Sequence, residues 1–458
     1  MLERLTIENF KSWGTVDLRL GRITGLFGAN SSGKTSLIQF ILMLKQTKDN
    51  VDRSLDLDFG GENSLVNLGH FDNVVHGHDA KKVIAWTMKW ELPDILSISD
   101  PEKARQSKLF TGENLKIETA VRERRGAPFT TRLAYEFGGA TFSLAAKNGK
   151  ETEFHLKFQN NSDEGTGFRF IRQQGRPWTL PGPIKSYAFP DQAKTYFQNS
   201  SFLSEFEREY ENLMDRIYYL GPLREYPKRQ YAWAGSRPID VGRRGERVID
   251  AVLAAIAQGD QQNLKSRGKL LRFDAIIGYW LKELGLIAEF KIEEIAKGSN
   301  LFRTNVKRTR TSPETSIMDV GFGVSQVLPV LVLLYYVPKG STVLLEQPEI
   351  HLHPAVQSGL ADVIINVATH RKVQIIVESH SEHLLRRLQR RVAEKKIKAS
   401  QTKLYFCDFQ NLASRLTPLE LNMFGEIENW PKDFFGDEFG EITAIRKAGL
   451  KRKMDQNE

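Results

Sequence analysis

A single cysteine, Cys407, occurs in 458 residues. One cysteine can form neither an intramolecular disulfide nor a cysteine-based zinc site, so both classes drop out. Long apolar runs are missing too. The longest, residues 327–337, contains Pro329 and is too short to cross a bilayer. Met1-Leu2-Glu3-Arg4 enters an alternating strand pattern at once, without the apolar core of a signal peptide. There is no long heptad run, no internal repeat, and no disordered composition outside the last ten residues. These absences lead us to expect a cytoplasmic protein with no membrane contact. What is present is ordinary for a globular chain of two or three domains, 40% hydrophobic and 26% charged. Net charge is +9, with a pI near 9.3, a lean toward polyanionic partners that does not establish one.

The stretch Gly28-Ala29-Asn30-Ser31-Ser32-Gly33-Lys34-Thr35 fits the P-loop pattern. Ile23, Gly25, Leu26 and Phe27 before it read as a short buried strand. Leu37, Ile38, Ile41 and Leu42 after it recur at helical spacing. Strand, glycine loop and helix start together make a phosphate cradle of backbone N–H groups and a positive dipole end. Lys34 would reach the β- and γ-phosphates, and Thr35 would hold Mg²⁺.

Period-two alternation marks strands around Leu5–Ile7 and Val16–Leu20, and again over several runs between residues 81 and 158. Residues 160–190, rich in Gly, Pro, Asn and Gln, read as loops. Leu203, Phe206, Tyr210, Leu213 and Ile217 predict a long amphipathic helix, ended by Gly221-Pro222-Leu223-Arg224. Further helices are expected near residues 248–257 and 270–284.

Three motifs then follow in order. Asp319-Val320-Gly321-Phe322-Gly323-Val324-Ser325-Gln326 opens an apolar helix and offers a second helix N-terminus with a free hydroxyl, although a simple capping turn explains it alone. Residues 341–345 read as a buried strand delivering Glu346 at its tip, followed by Gln347-Pro348-Glu349-Ile350-His351-Leu352-His353-Pro354. The His-x-His pair lacks a third ligand at zinc spacing. A further buried strand ends in Glu378-Ser379-His380.

Together with the opening Ile7-Glu8-Asn9-Phe10-Lys11-Ser12, these motifs resemble an ABC-type ATPase head of the soluble kind shared by SMC, RecF and OLD proteins. The chain is similar to a bacterial family of AAA-type ATPases with a C-terminal domain of unknown function. That domain resembles Gly425-Glu426-Ile427-Glu428-Asn429-Trp430-Pro431-Lys432-Asp433-Phe434-Phe435, and Tyr219-Leu220-Gly221-Pro222-Leu223-Arg224 also matches. The resemblance implies an α/β P-loop NTPase of ABC-ATPase head type with an antiparallel β-rich and helical insertion and a small C-terminal module. The expected parts are an ATPase lobe over 1–80, a β-rich insertion over 81–200, a helical and mixed lobe over 201–318, a second ATPase lobe over 319–405, and the module over 406–458.

ATP and Mg²⁺ are the implied ligands. In a head-to-tail dimer, ATP held by Gly28, Asn30, Ser31, Ser32, Gly33, Lys34, Thr35 and Ser36 would be capped by Gly321, Gly323, Ser325 and Gln326 of a second copy. Thr35 and Glu346 would bind Mg²⁺, and His380 would sense the γ-phosphate. Gln46, Asp72 and Asn73 are candidates for the Q-loop residue. One departure stands out: the position after Glu346, usually a catalytic glutamate, is Gln347, an amide that orients water but cannot take its proton. Either Glu349 or His380 is the base, or hydrolysis is slow.

The family resemblance leads us to expect a nucleotide-driven sensor or clamp with a separate effector such as a nuclease, in bacterial defence against phage. A RecF-like repair ATPase and a nucleotide-gated scaffold with negligible turnover are the alternatives. Arg386, Arg387, Arg390, Arg391, Lys395 and Lys396, with Arg122-Glu123-Arg124-Arg125, Arg243-Arg244 and Lys307-Arg308-x-Arg310, read singly as solvated faces and jointly keep nucleic acid open as a partner.

Overall fold

The computed structural model describes residues 1–99, 108–147, 150–161, 168–175, 179–265, 268–431, 434 and 443–448. Lys432, Asp433 and Phe435 of the C-terminal motif, and the last ten residues, lie outside the described residues. A six-stranded sheet runs in spatial order Ala413–Leu419, Thr402–Gln410, Ile23–Gly28, Gln374–Glu378, Thr342–Glu346, Ile217–Leu220. Pairing is parallel except in the outer hairpin of residues 402–419. The three central strands are buried at every position, because helices or a second sheet cover both faces.

The two faces of this sheet feed two cores. Leu26, Leu344 and Ile376 point into one, with the helix Lys34–Asp49 and a seven-stranded antiparallel sheet. Ile23, Phe27, Val343, Leu345, Ile375 and Val377 point into the other, with the helices Phe322–Tyr336, Pro354–His370 and Glu382–Ala393. The antiparallel sheet has the order Trp13–Arg19, Leu2–Phe10, Ile84–Ser99, Lys108–Arg124, Ala127–Phe137, Ala140–Lys147, Lys150–Asn160. Its two amino-terminal strands are therefore hydrogen-bonded into the same sheet as residues 84–160. The strand Thr402–Gln410 likewise spans the expected start of the C-terminal module and pairs directly with the P-loop strand.

Ile217 does not belong to the preceding helix. That helix is Leu203–Asp215, and Ile217–Leu220 is an edge strand whose Leu220 registers with Leu345. Ile, Tyr and Leu suit either period, and pairing with a buried strand decides the outcome. The helix expected from Leu270 begins at Phe273, since Leu270–Arg272 pairs with Gln261–Asn263. A small sheet containing Glu289–Glu294 and Leu301–Lys307 was not expected from sequence, although Phe290 and Ile292 on one strand and Phe302 and Val306 on the other alternate at period two.

Gln374 joins the two large sheets. Its buried amide accepts from Leu2 N (3.1 Å) and from Thr342 Oγ1 (3.1 Å), and donates to Leu2 O (2.7 Å) and Gly21 O (2.9 Å). Replacing it strands several buried backbone groups. Gln374→Leu should therefore cost about 2–4 kcal/mol of unfolding free energy in urea titrations. A loss within error of zero would refute the staple.

Candidate active site

The P-loop follows the strand Ile23–Gly28, and Gly33 caps the helix Lys34–Asp49 in the left-handed conformation, φ 91°, with no side-chain cap. The loop can only be glycine at its ends. A Cβ on Gly28 would lie 2.0 Å from Cys407 O, and one on Gly33 would lie 2.4 Å from Ser414 Oγ. The loop is braced from behind. Trp13 Nε1 donates to Gly33 O (3.1 Å), and Ser414 Oγ bonds Ser12 Oγ (2.6 Å). Lys34 Nζ donates to Gly28 O (3.0 Å), Ala29 O (2.6 Å) and Ser32 Oγ (3.4 Å).

A cleft of about 260 Å³ is lined by Ser12, residues 30–36, Gln347, Glu378 and His380. Glu346 and Glu378 are direct neighbours at the tips of parallel strands. Thr35 Oγ1 donates to Glu378 Oε1 (2.8 Å), whereas Glu378 Oε2 is buried with no hydrogen-bond partner. Glu346 does not itself line the cleft; it lies beside the Tyr219 hydroxyl. Burial raises Glu378 above the usual carboxylate range, and burial and Glu378 push Glu346 up to about 8. Glu349 is also buried and raised by desolvation. Its Oε1 accepts from His380 N (2.7 Å), which ties the two loops together. Burial and then Lys34 lower His380, so its imidazole is neutral near pH 7. Gln347 sits at φ 42°, a conformation that costs a non-glycine residue on the order of 1–3 kcal/mol.

The signature residues lie elsewhere on the chain's surface. The helix Phe322–Tyr336 starts after Gly321, and Gly321 and Phe322 are exposed. Contrary to the sequence expectation, the Ser325 hydroxyl is not free: it is buried and donates to Phe322 O (2.8 Å). Gly323 and Gln326 are half-buried in that first turn. None of the four lines the P-loop cleft. The Q-loop candidates do not line it either. Gln46 is buried, donating to Asp58 O and accepting from Val66 N; Asn73 accepts from His70 N; the Asp72 backbone bonds His78. His353 Nδ1 caps the helix Pro354–His370 by accepting from Ala355 N (3.3 Å).

Glu378 was the main site residue outside the sequence expectation. Its signal was an acid at a second apolar strand's tip, masked by the more conspicuous Ser379-His380 beside it. The basic helix Glu382–Ala393 is largely neutralised. Arg387 and Arg391 bond Asp362, while Arg386 and Arg390 pair with Glu382 and Glu394. Arg244 pairs with Glu225, and Lys307 with Glu289. Among the described residues no helix is long and apolar enough to cross a membrane.

A family model described as "AAA domain, putative AbiEii toxin, Type IV TA system" matches residues 123–386, more than half of the chain. A second, described as a protein of unknown function (DUF3696), matches residues 397–445. No curated protein matches the sequence. Solved structures with similarity include an SMC head bound to the C-terminal winged-helix domain of ScpA (11% identity, TM-score 0.45, 92% of this chain and 98% of that chain). Another is the SMC head domain from Thermotoga maritima (11%, 0.39, 92% and 99%). A third is an SMC head with an extended coiled coil, bound to the C-terminal domain of ScpA, derived from Pyrococcus furiosus (11%, 0.39, 91% and 96%).

The raised Glu346 carboxyl sets a pH dependence. Its ordinary value is 4.5 and its folded value about 8, so between them the folded chain holds a proton that the unfolded chain has released. Stability then falls as pH rises through that window, by up to about 1.4 kcal/mol per pH unit for one proton. Glu346→Gln should make the decline of metal-free thermal stability from pH 4.5 to about 8 shallower. An unchanged slope would mean that Glu346 is not the group responsible.

Proposed function

Because the chain belongs to the AAA family described as a putative AbiEii toxin of type IV toxin–antitoxin systems, we propose that it is an ATP-binding, slowly hydrolysing ATPase of ABC head type. The observation that carries the chemistry is the register of Glu346 beside Glu378, with the Thr35 hydroxyl on Glu378 and Lys34 in the adjoining loop. ATP and Mg²⁺ fit these residues: the orphaned, buried Glu378 Oε2 suits a hard cation, and loop glycines at Gly28 and Gly33 keep side chains away from a phosphate. Thr35, Glu346 and Glu378 would hold Mg²⁺. The amides of residues 30–36 and Lys34 would hold the phosphates. When bound, Mg²⁺ neutralises phosphate charge.

The chain's own groups argue for slow hydrolysis. Gln347 lines the cleft and can orient a water molecule, but it has no basic oxygen that accepts a proton at neutral pH. Glu349 is engaged by the His380 backbone amide. His380, neutral and half-buried in the cleft, is suited to hydrogen-bonding a phosphate or a water. This chemistry equally supports the reading in which the nucleotide acts as a gate with negligible turnover.

Self-association is supported by the position of the second helix start. Gly321 is exposed and does not line the cleft, so a second copy is the natural source of the missing cap. The defence role, with a separate effector such as a nuclease, is supported by the toxin–antitoxin wording of the family description. A repair role of RecF kind is distinguished by ATP-dependent binding to DNA ends or gaps.

Gln347→Glu should raise steady-state ATP hydrolysis by tenfold or more, on the order of a general base's contribution. An unchanged rate would remove Gln347 as the cause of slow turnover. Gly321 is exposed, and a Cβ placed on it would meet no atom within 4 Å. Gly321→Arg should therefore leave ATP affinity and stability intact and abolish ATP-dependent dimers in light scattering. Persistent dimers would exclude the signature cap.

A further inference from the structure

Arg224 is the anomaly of this interior. Only 6% of its surface is exposed, yet Nε, Nη1 and Nη2 are all without a hydrogen-bond partner. Among the described residues one other arginine is as deeply buried, Arg371, and there only Nε lacks a partner: Nη1 donates to Leu334 O (2.6 Å) and Nη2 to Val337 O (2.7 Å). A buried guanidinium with none of its five N–H groups engaged carries a large desolvation cost and calls for an explanation.

Its position supplies one. The strand Ile217–Leu220 lies next to Thr342–Glu346 and delivers residues 221–224 beside the acid pair. Arg224 lies within electrostatic reach of Glu346, Glu349 and Tyr219, but forms a hydrogen bond with none of them. Glu349 gives Oε1 to His380 N and keeps a buried Oε2 without a partner, while Glu346 lies beside the Tyr219 hydroxyl. The backbone around Arg224 is pinned on both sides. Gly221 N donates to Arg243 O and Glu225 N to Arg244 O, each at 2.8 Å. Any new contact must therefore be made by the side chain alone. Close packing fixes the approach as well, since a Cβ on Gly221 would meet the Tyr219 hydroxyl at 2.8 Å.

We propose that Arg224 is a catalytic residue whose guanidinium donates to the terminal phosphate of bound ATP, supplied in cis from the strand beside the acid pair. This rests on the ATPase reading above. A planar fork of donors matches two phosphate oxygens, and a cation held without partners makes no hydrogen bond that must first be broken. ADP offers no such oxygens at that position, so Arg224 distinguishes triphosphate from diphosphate. Beside Gln347, it stabilises phosphoryl charge without moving a proton.

The test compares wild type, Arg224→Met, Arg224→Lys and Lys34→Ala, using fluorescent ATP and ADP analogues with Mg²⁺ and single-turnover hydrolysis. Arg224→Met should lower the hydrolysis rate about 100-fold and reduce the ATP-over-ADP affinity ratio about tenfold, as expected for loss of one charged donor. Its ADP affinity should stay within twofold of wild type. Removing an unpaired buried charge should also leave nucleotide-free thermal stability unchanged or raised. Arg224→Lys keeps the charge but lacks the fork, and should recover only part of the ratio. Unchanged rate and ratio in Arg224→Met overturn the proposal. So does a lowered nucleotide-free stability with equal losses for ATP and ADP, which would mark a structural arginine. If wild type itself binds no nucleotide, as Lys34→Ala should not, the ATPase reading falls first and this proposal with it.

Discussion

Three carboxylates, Glu346, Glu349 and Glu378, are buried together at the C-terminal tips of adjacent strands and the loop that follows them. Desolvation raises all three, and no sheet would place them there for stability alone. The positive charges facing them, Lys34 and Arg224, are themselves lowered by burial. The cleft and the buried layer behind it thus hold charges in a medium where each interaction is strong and each orphaned atom costly.

The rest of the chain holds this charge cluster in place. Both cores press on the same three central strands, so the strand tips cannot shift independently. The C-terminal segment takes part directly. Strand Thr402–Gln410 runs alongside the P-loop strand, Cys407 O blocks any side chain at Gly28, and Phe434 packs edge-on against Phe27 (6.4 Å) and Phe406 (4.8 Å). The region matched by the family of unknown function therefore forms one wall of the phosphate loop's support. Phe409, Leu412, Met423 and Phe424 in this region are exposed.

Sequence legibility followed locality. The P-loop, the buried strands ending at Glu346 and Glu378, and the helix at Phe322 were readable because strand, turn and helix signals sit side by side. The apolar stripe Leu384, Leu385, Leu388 and Val392 is buried as its spacing predicts. What required the fold was long-range pairing. Nothing local says that Leu2–Phe10 pairs with Ile84–Ser99, or that Ile217 leaves its helix to register against Thr342–Glu346. Side-chain partners were equally hidden. Ser325 looked like a free hydroxyl until its own turn supplied Phe322 O, and the four arginines read as a solvated face, whereas two of them bond Asp362 of the neighbouring helix and two pair with Glu382 and Glu394 one turn away. With exposed ion pairs contributing little each, this helix is better described as a packed and neutralised element than as a binding face.

The segment after Leu220 runs from the acid cluster to the start of the helix Phe322–Tyr336. Within a few residues it passes Arg224, beside Glu346 and Glu349, then Tyr226, whose ring meets that of Phe322 at 6.2 Å, then Arg229, which pairs with Asp319 at 3.1 Å. Asp319 and Phe322 flank Gly321, where the helix Phe322–Tyr336 begins. Leu223, Tyr226 and Phe322 are all largely exposed, so this stretch presents apolar area on the surface that also carries the helix start. The acid cluster and the start of that helix are thus joined by one short stretch of chain, with no long series of packed intermediates between them.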